Sequence, residues 1–216
     1  MTLDELLQCA CVWRARSGAP AVAGMATGYA ALDAILPGDG WPRSGLTEIL
    51  SADIGIGALR LVLPALARLS REGRWIIWVA PPHVPYSPAL RGHGLDLSRV
   101  LVVDLPEDES RIRVQVLWAY EQALRFGDCG AALLWLDTLS NLRLRRLQIA
   151  AEAGSTWGLI FRPVSRAAQP SPAPLRLEIE ALVDPLPGVV ASPAALRVNV
   201  RKARGAQADL HCQLEL

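Results

Sequence analysis

Residues 48–60 are the part of the chain whose types and order come closest to a phosphate-binding site. They read Glu-Ile-Leu-Ser-Ala-Asp-Ile-Gly-Ile-Gly-Ala-Leu-Arg and join a predicted strand to a predicted helix. A glycine-containing loop in that position binds phosphate because the free N–H groups and the dipole at the helix start attract an anion. The segment therefore has the position of a phosphate loop, and its residue types decide whether it can act as one.

The residue types do not fit nucleotide binding. The working loop has the form GxxxxGK[ST], whose lysine reaches the terminal phosphates and whose hydroxyl holds magnesium. Its four defining positions fall, in order, on residues that do not match them: Ser51, Ile56, Gly57 and Ala58. Asp53 would also place a carboxylate beside the phosphates. We expect a vestigial loop without a cofactor, in a protein that is not an enzyme; its residues are Ser51, Asp53, Gly55, Ile56, Gly57 and Ala58.

Asp137 lies at the end of a predicted strand, where nucleotide hydrolases place a magnesium-binding carboxylate. Residues 133–137 read Leu-Leu-Trp-Leu-Asp, an apolar strand that ends in Asp137. The same arrangement supports magnesium in nucleotide hydrolases, but an aspartate before a helix is more often an N-cap. We favour the N-cap interpretation and treat Asp137 as a vestigial strand-end residue, so no catalytic or metal-binding residue is predicted.

Composition excludes several other classes. The net charge is +1 and Lys202 is the single lysine, so strong electrostatic binding of nucleic acid is not expected, and any DNA contact should be weak or indirect. The cysteines and histidines have no zinc-site spacing; they are Cys9, Cys11, Cys129, Cys212, His83, His93 and His211. The apolar runs 75–82 and 131–136 are far shorter than the roughly 20 residues of a membrane span. The first five residues are acidic rather than basic, and we expect a cytoplasmic protein.

The elements that must position these residues alternate along the chain. Residues 2–16 predict an amphipathic helix, so we divide the chain into an N-terminal helix over 1–17, a linker over 18–26 and a core domain over 27–216. Apolar strands are predicted at 46–50, 75–80, 100–105, 131–136 and 158–164, with helices at 58–69, 107–126 and 138–153. Three later segments, 175–181, 196–201 and 210–216, alternate apolar and polar residues. The pattern predicts an α/β fold whose mixed sheet is parallel at its centre, antiparallel at its C-terminal strands and flanked by helices.

Several strings of residues resemble a known family. Residues 27–33 and 38–49 resemble the approach to the phosphate loop of RecA-type recombinases, and 94–96, 158–161 and 197–202 continue the match in order. Residues 41–43, 55–60 and 78–83 look like ImuA, the RecA-like accessory protein of bacterial mutagenic translesion synthesis. The resemblance implies a RecA-like fold and a non-catalytic role in the SOS response to DNA damage. Its implied partners are ImuB, an error-prone polymerase III alpha-type subunit and RecA itself, with self-association left open.

Two basic clusters are candidates for such an interface. Arg143, Arg145 and Arg146 lie within about one turn of the predicted 138–153 helix. Arg201, Lys202 and Arg204 follow a late strand and match the region that reaches a neighbouring subunit in RecA filaments. For the first cluster a solvated helix face is the favoured interpretation, whereas the second cluster, without a nucleotide, is free to face another protein.

Three other functions remain open from the sequence. A SulA-like inhibitor of cell division that binds FtsZ would also have lost its phosphate loop. A RecA-like ATPase with an unusual loop and a direct binder of single-stranded DNA are the remaining alternatives.

Overall fold

The computed structural model describes residues 23–52, 57–104, 112–182, 195–204 and 210–216. The predicted N-terminal helix and residues 18–22 of the predicted linker lie outside these ranges. Of the vestigial loop, residues 53–56 also lie outside them, whereas Ser51, Gly57 and Ala58 are described.

Eight strands form one mixed sheet in the order β3-β2-β4-β5-β1-β6-β7-β8. The strands are β1 (Gly45–Ser51), β2 (Trp75–Val79), β3 (Val100–Val103), β4 (Cys129–Trp135), β5 (Trp157–Pro163), β6 (Leu175–Leu182), β7 (Ala195–Ala203) and β8 (His211–Glu215). The pairs from β3 to β6 are parallel, and only β6–β7 and β7–β8 are antiparallel. The predicted mixed α/β sheet with a parallel centre and antiparallel C-terminal strands is confirmed. The strands β2 and β4 contain no charged residue because helices cover both of their faces.

Five helices accompany the sheet in the described residues. They are α1 (Ala30–Asp33), α2 (Ala58–Arg71), α3 (Ser87–Gly92), α4 (Ile112–Arg125) and α5 (Asn141–Ala153), with short 3-10 turns at Leu97–Arg99 and Val164–Arg166. One core packs α2 and α3 against the sheet through residues such as Leu61, Leu66 and Trp78. The second core packs α4 and α5 against the opposite face through Tyr120 and Leu147. Apolar side chains alternate between the two faces of each central strand, so one strand contributes to both cores.

Helix α5 begins later than the sequence predicts. We expected it to start at residue 138, but it starts at Asn141, where the Ser140 hydroxyl accepts the Arg143 backbone N–H at 3.3 Å. A serine cap satisfies one of the free N–H groups of the first turn. Asp137 is therefore not the N-cap of this helix, and that interpretation is wrong.

No helix in the described part of the chain is long and apolar enough to cross a membrane. The longest helices have 14 residues, which span about 21 Å.

Candidate functional site

The connection from β1 to α2 is described at its two ends, up to Ala52 and from Gly57 onward. Gly57 precedes α2 with a φ of 88°, a left-handed conformation that glycine adopts without strain. A Cβ atom at this position would lie 2.8 Å from Leu216 Cδ1. The helix start is thus covered by an apolar C-terminal side chain, and Ser51 and Ala58 on either side of the loop are buried. Whether these residues are a vestige of a nucleotide site stays a prediction.

A cavity of about 280 Å³ lies beside this connection, at the carboxyl ends of β1, β2, β4 and β5. Aromatic side chains form much of its wall. The rings of Trp135 and Phe161 stack with centroids 4.8 Å apart, and the ring of Trp78 packs against Trp135 with centroids 5.6 Å apart. Large stacked rings make this wall rigid and apolar. The cavity offers few polar groups to a charged ligand.

A buried ion-pair network occupies the neighbouring strand ends. The side chain of Glu48 is fully buried and contacts two guanidinium groups: Arg162 Nη1 at 3.4 Å and Arg176 Nε at 2.9 Å. Ser171 Oγ donates a hydrogen bond of 2.6 Å to Glu48 Oε1. The buried carboxylate therefore has two cations and a hydroxyl as partners, which offsets much of its desolvation.

The same network holds the segment that follows β5. Arg162 Nη2 donates to Gln169 Oε1 at 2.8 Å, and Arg176 donates to the carbonyl oxygens of Ala167 and Arg166 at 3.1 Å. Lys202 Nζ donates to the Ser171 carbonyl oxygen at 2.7 Å. Burial lowers the pKa of the Arg162 guanidinium, with smaller contributions from neighbouring charges. These basic groups bind the protein's own backbone and side chains, so this segment is fixed in place by hydrogen bonds.

Asp137 belongs to an ion pair beyond the end of β4. Its carboxylate receives two hydrogen bonds from Arg166, from Nε at 2.8 Å and from Nη2 at 3.2 Å. This pair raises the pKa of Arg166. A bidentate pair fixes the orientation of both side chains. Asp137 thus joins the end of β4 to the segment after β5.

The basic cluster of α5 lies on the outer face of that helix. Arg143, Arg145 and Arg146 are exposed, and Arg146 Nε contacts Glu121 Oε2 at 2.7 Å. Two large apolar side chains share this face: Leu142 is 78% exposed and Ile149 is 61% exposed. Arginine is enriched at protein interfaces, and here it lies beside exposed aliphatic side chains.

The second basic cluster is less available. Arg201 Nε contacts Glu178 Oε2 at 3.4 Å, and Lys202 is engaged with Ser171 as described above. Partial burial lowers the pKa of Lys202. Arg204 is exposed at the end of the strand. The three residues lie close in sequence, but only Arg201 and Arg204 are exposed.

The described residues contain no group of three or more His, Cys, Asp or Glu side chains that could hold a metal ion. Cys129 is a buried free thiol and Cys212 a partly buried one. Desolvation raises the pKa of Cys129 to about 12 and that of Cys212 to about 11, so both thiols are poor nucleophiles.

The Glu48 network was missed in the sequence. Its signal is a single charged residue in the otherwise uncharged strand Leu46-Thr47-Glu48-Ile49-Leu50. A charge at such a position is buried only with partners, which predicts that cations come from other strands. The identity of those partners depends on β5 and β6 lying on either side of β1.

The fold and this site define a mixed α/β protein in which ion pairs and aromatic rings of the chain itself fill the strand-end region. A family model described as "Cell division inhibitor SulA" matches residues 46–158, which is more than half of the chain. The chain belongs to the SulA family.

Individual relatives agree with this assignment. A cell division inhibitor SulA from Edwardsiella piscicida is 33% identical over 127 residues, which cover 56% of this chain and 70% of that protein. The corresponding protein of Photorhabdus laumondii is 32% identical over 120 residues, covering 56% of this chain and 65% of its own length. The crystal structure of SulA from Pseudomonas aeruginosa superimposes with a TM-score of 0.44 at 28% identity, covering 54% of this chain and 97% of that one. The assignment rests on the sequence matches.

These matches correct the resemblance to ImuA. The family model and the relatives described above are SulA proteins, so the expected role in translesion synthesis is wrong. The partners implied by that resemblance, ImuB, the polymerase subunit and RecA, are wrong for the same reason. The error has a physical basis, because a strand, a degenerate loop and a helix followed by an aspartate-ended strand are features of the shared sheet architecture rather than of one family.

Proposed function

We propose that this protein inhibits bacterial cell division by binding FtsZ, the partner that the SulA-like interpretation of the sequence implies. The observation that carries the proposal is the family match over residues 46–158, supported by 33% identity to a protein named as a cell division inhibitor. Binding to FtsZ would place its action in the cytoplasm.

The proposed action is stoichiometric binding rather than catalysis. The loop before α2 supplies neither a lysine nor a hydroxyl at the positions that a nucleotide requires. Glu48 and Asp137 are each paired with arginine, which favours a structural role for both carboxylates. Because both carboxylates already have arginine partners within the chain, we expect the protein to act through its surface rather than at this site.

We also infer that the sheet is RecA-like. The strand before the vestigial loop, β1, and the aspartate-ended strand, β4, lie on either side of β5. That order brings both strand ends to one edge, the arrangement used for nucleotide binding in open α/β sheets. In this protein the stacked rings of Trp135 and Phe161 and the Asp137–Arg166 ion pair lie at that edge.

We propose the outer face of α5 as the surface that contacts FtsZ. It combines Leu142, Arg145 and Ile149, which are spaced by three and four residues and so lie on one side of the helix. Large exposed apolar groups next to arginine favour a protein interface over simple solvation. This helix lies inside the matched residues 46–158, whereas the cluster at Arg201 and Arg204 lies outside them.

The experiment is sedimentation of purified FtsZ polymers with GTP in the presence of the full-length protein. We expect the wild-type chain to reduce the pelleted FtsZ, and its expression in rod-shaped bacteria to produce filaments. The variants Arg145→Glu and Ile149→Asp should each weaken inhibition at least about tenfold, because central interface residues contribute about 2 kcal/mol or more. The matched control is Arg204→Glu, an exposed arginine of the other cluster, which should inhibit like wild type.

Three outcomes would contradict parts of this proposal. Unchanged FtsZ pelleting and normal cell length with the wild-type chain would refute the function. Inhibition lost in Arg204→Glu and retained in Arg145→Glu would move the interface to the second cluster. Turnover of ATP or GTP by the protein alone would refute the non-catalytic mechanism.

A further inference from the structure

One arginine of the outer face of α5 is held by a buried carboxylate from the neighbouring helix. Glu121 lies on α4, and only 9% of its side chain is exposed. Its Oε2 contacts Arg146 Nε at 2.7 Å, and its Oε1 accepts hydrogen bonds from Arg125 Nε at 3.3 Å and Arg125 Nη2 at 3.2 Å. Both carboxylate oxygens are therefore paired, each with an arginine of a different helix.

Glu121 stays ionised in this position. Burial raises the pKa of its carboxyl group, but the hydrogen bonds and charges of Arg146 and Arg125 together outweigh burial, so that its pKa lies below the ordinary value. A buried carboxylate keeps its charge only where cations compensate for the lost water. Glu121 is thus a charged attachment point that fixes Arg146 at Nε.

The terminal nitrogens of Arg146 remain available to another molecule. The side chain is 63% exposed, and Nη1 and Nη2 form no hydrogen bond with any residue that the structure describes. A guanidinium carries five N–H groups in a planar fork that matches the two oxygens of a carboxylate. With Nε beside Glu121, the two Nη nitrogens still have four N–H groups to donate.

The neighbouring arginines do not offer the same arrangement. Nη2 of Arg125 already donates to Glu121, so one arm of its fork is occupied. Arg145 is exposed and forms no ion pair with a described residue. Ordering a long side chain opposes binding, and Arg146 has already lost part of its freedom in the folded chain. Arg146 is therefore the arginine of this face that is organised for binding in advance.

Apolar side chains flank Arg146 along its own helix. Leu142 precedes it by four residues and Ile149 follows it by three, so the three side chains lie on one side of α5. Leu142 is 78% exposed and Ile149 is 61% exposed. A partner that covers these groups removes water from the fork, which strengthens an ion pair formed there. Aliphatic neighbours favour a protein carboxylate over a nucleic-acid phosphate, since nucleic-acid interfaces are more polar and more strongly basic.

We propose that Arg146 binds a carboxylate of FtsZ through Nη1 and Nη2, with apolar side chains of FtsZ covering Leu142 and Ile149. Glu121 is a positioning residue, because it acts on the partner only through Arg146. The inference rests on the proposed function, in which the outer face of α5 contacts FtsZ, and it names the chemical group that this face recognises.

The experiment measures the concentration of full-length protein that halves the amount of pelleted FtsZ. Arg146→Lys keeps a cation for Glu121 but removes the fork, so about tenfold more protein than wild type should be needed. Glu121→Gln removes the charge that fixes Arg146 and should require about fivefold more. The matched control is Arg125→Lys, which changes the other arginine bound to Glu121 and should inhibit like wild type.

The double variant separates positioning from a loss of folding stability. In the Arg146→Lys background, Glu121→Gln should weaken inhibition no further, because its effect passes through a fork that is already absent. A general loss of stability would instead weaken inhibition by the same factor in both backgrounds. Circular dichroism of each variant shows whether the chain is folded at the assay temperature.

A second measurement identifies the carboxylate on the partner. Among FtsZ variants that still polymerise and carry one aspartate-to-asparagine or glutamate-to-glutamine change, at least one should resist the wild-type chain about tenfold. Arg146→Lys should inhibit that FtsZ variant as well as it inhibits unchanged FtsZ, because the same ion pair is already lost.

Four outcomes would overturn the inference while the wild-type chain still inhibits FtsZ. They are wild-type inhibition by Arg146→Lys, an equal loss in Arg125→Lys, an undiminished effect of Glu121→Gln in the Arg146→Lys background, and no FtsZ carboxylate that couples to Arg146. A wild-type chain that leaves FtsZ pelleting unchanged would refute the proposed function and, with it, this inference.

Discussion

Replacing Glu48 by glutamine is the sharpest test of how the strand-end region is stabilised. The side chains of Glu48 and Arg162 are fully buried and that of Arg176 is nearly so. Glutamine keeps the size of the side chain but removes the charge, which leaves two buried guanidinium groups without a counterion. Removing one partner of a buried ion pair costs about 3–5 kcal/mol of unfolding free energy. That loss is a large part of the roughly 5–15 kcal/mol that stabilises a folded domain.

The assay is urea unfolding followed by circular dichroism. With a slope of about 2 kcal/mol per molar urea, the midpoint of Glu48→Gln should fall by roughly 1.5–2.5 M. Glu180→Gln is the matched control, because Glu180 contacts Arg197 at 3.5 Å on the exposed surface. Exposed pairs contribute at most about 1 kcal/mol, so its midpoint should change by less than about 0.5 M. Equal shifts in the two variants would refute the conclusion that the Glu48 network is a buried, stabilising cluster.

Two further predictions concern packing and thiol reactivity. Gly154→Ala should lower the unfolding free energy by about 1–3 kcal/mol in the same urea assay, because the added Cβ would lie 2.0 Å from the Leu124 carbonyl oxygen. The control is Gly92→Ala, whose added Cβ meets no atom within 4 Å and which should be close to neutral. The second test uses a Cys9→Ser, Cys11→Ser background, in which the native protein at pH 8 should react very slowly with a thiol reagent. With pKa values of about 12 at Cys129 and about 11 at Cys212, only about one Cys129 in 10⁴ and one Cys212 in 10³ is a thiolate at that pH. Labelling of both thiols at the rate of the unfolded chain would contradict the burial of these residues.

Much of the fold could be predicted from short-range patterns. Apolar runs at 75–80 and 131–136 became β2 and β4, and the alternating segments 175–181 and 196–201 became β6 and β7. Local periodicity is enough for these elements because each strand is buried on two faces or on one. The start of α5 was harder to predict, since Asp137 and Ser140 are both good caps; in the structure Ser140 caps the helix and Asp137 pairs with Arg166.

The candidate site could be predicted only in part. The mismatched residues at the phosphate-loop positions are a property of the sequence and needed no structure. The partners of Glu48 and Asp137 come from segments more than 25 residues away, so no local pattern identifies them. The same limit applies to the apolar cavity between α4 and β3, whose walls come from Leu101 and Trp118 on separate elements.

The sequence by itself determined the eight strands and the three longest helices of the described residues. It also determined the absence of the lysine and hydroxyl that a triphosphate needs at the β1–α2 connection. Only the tertiary structure decided that Arg162 and Arg176 neutralise Glu48 and that Arg145 and Arg146 share a face with Leu142 and Ile149. The tertiary structure also decided that no described strand pairs with the free side of β3. The physical reason is that propensity and periodicity act over a few residues, whereas ion pairing and burial depend on which strands become neighbours.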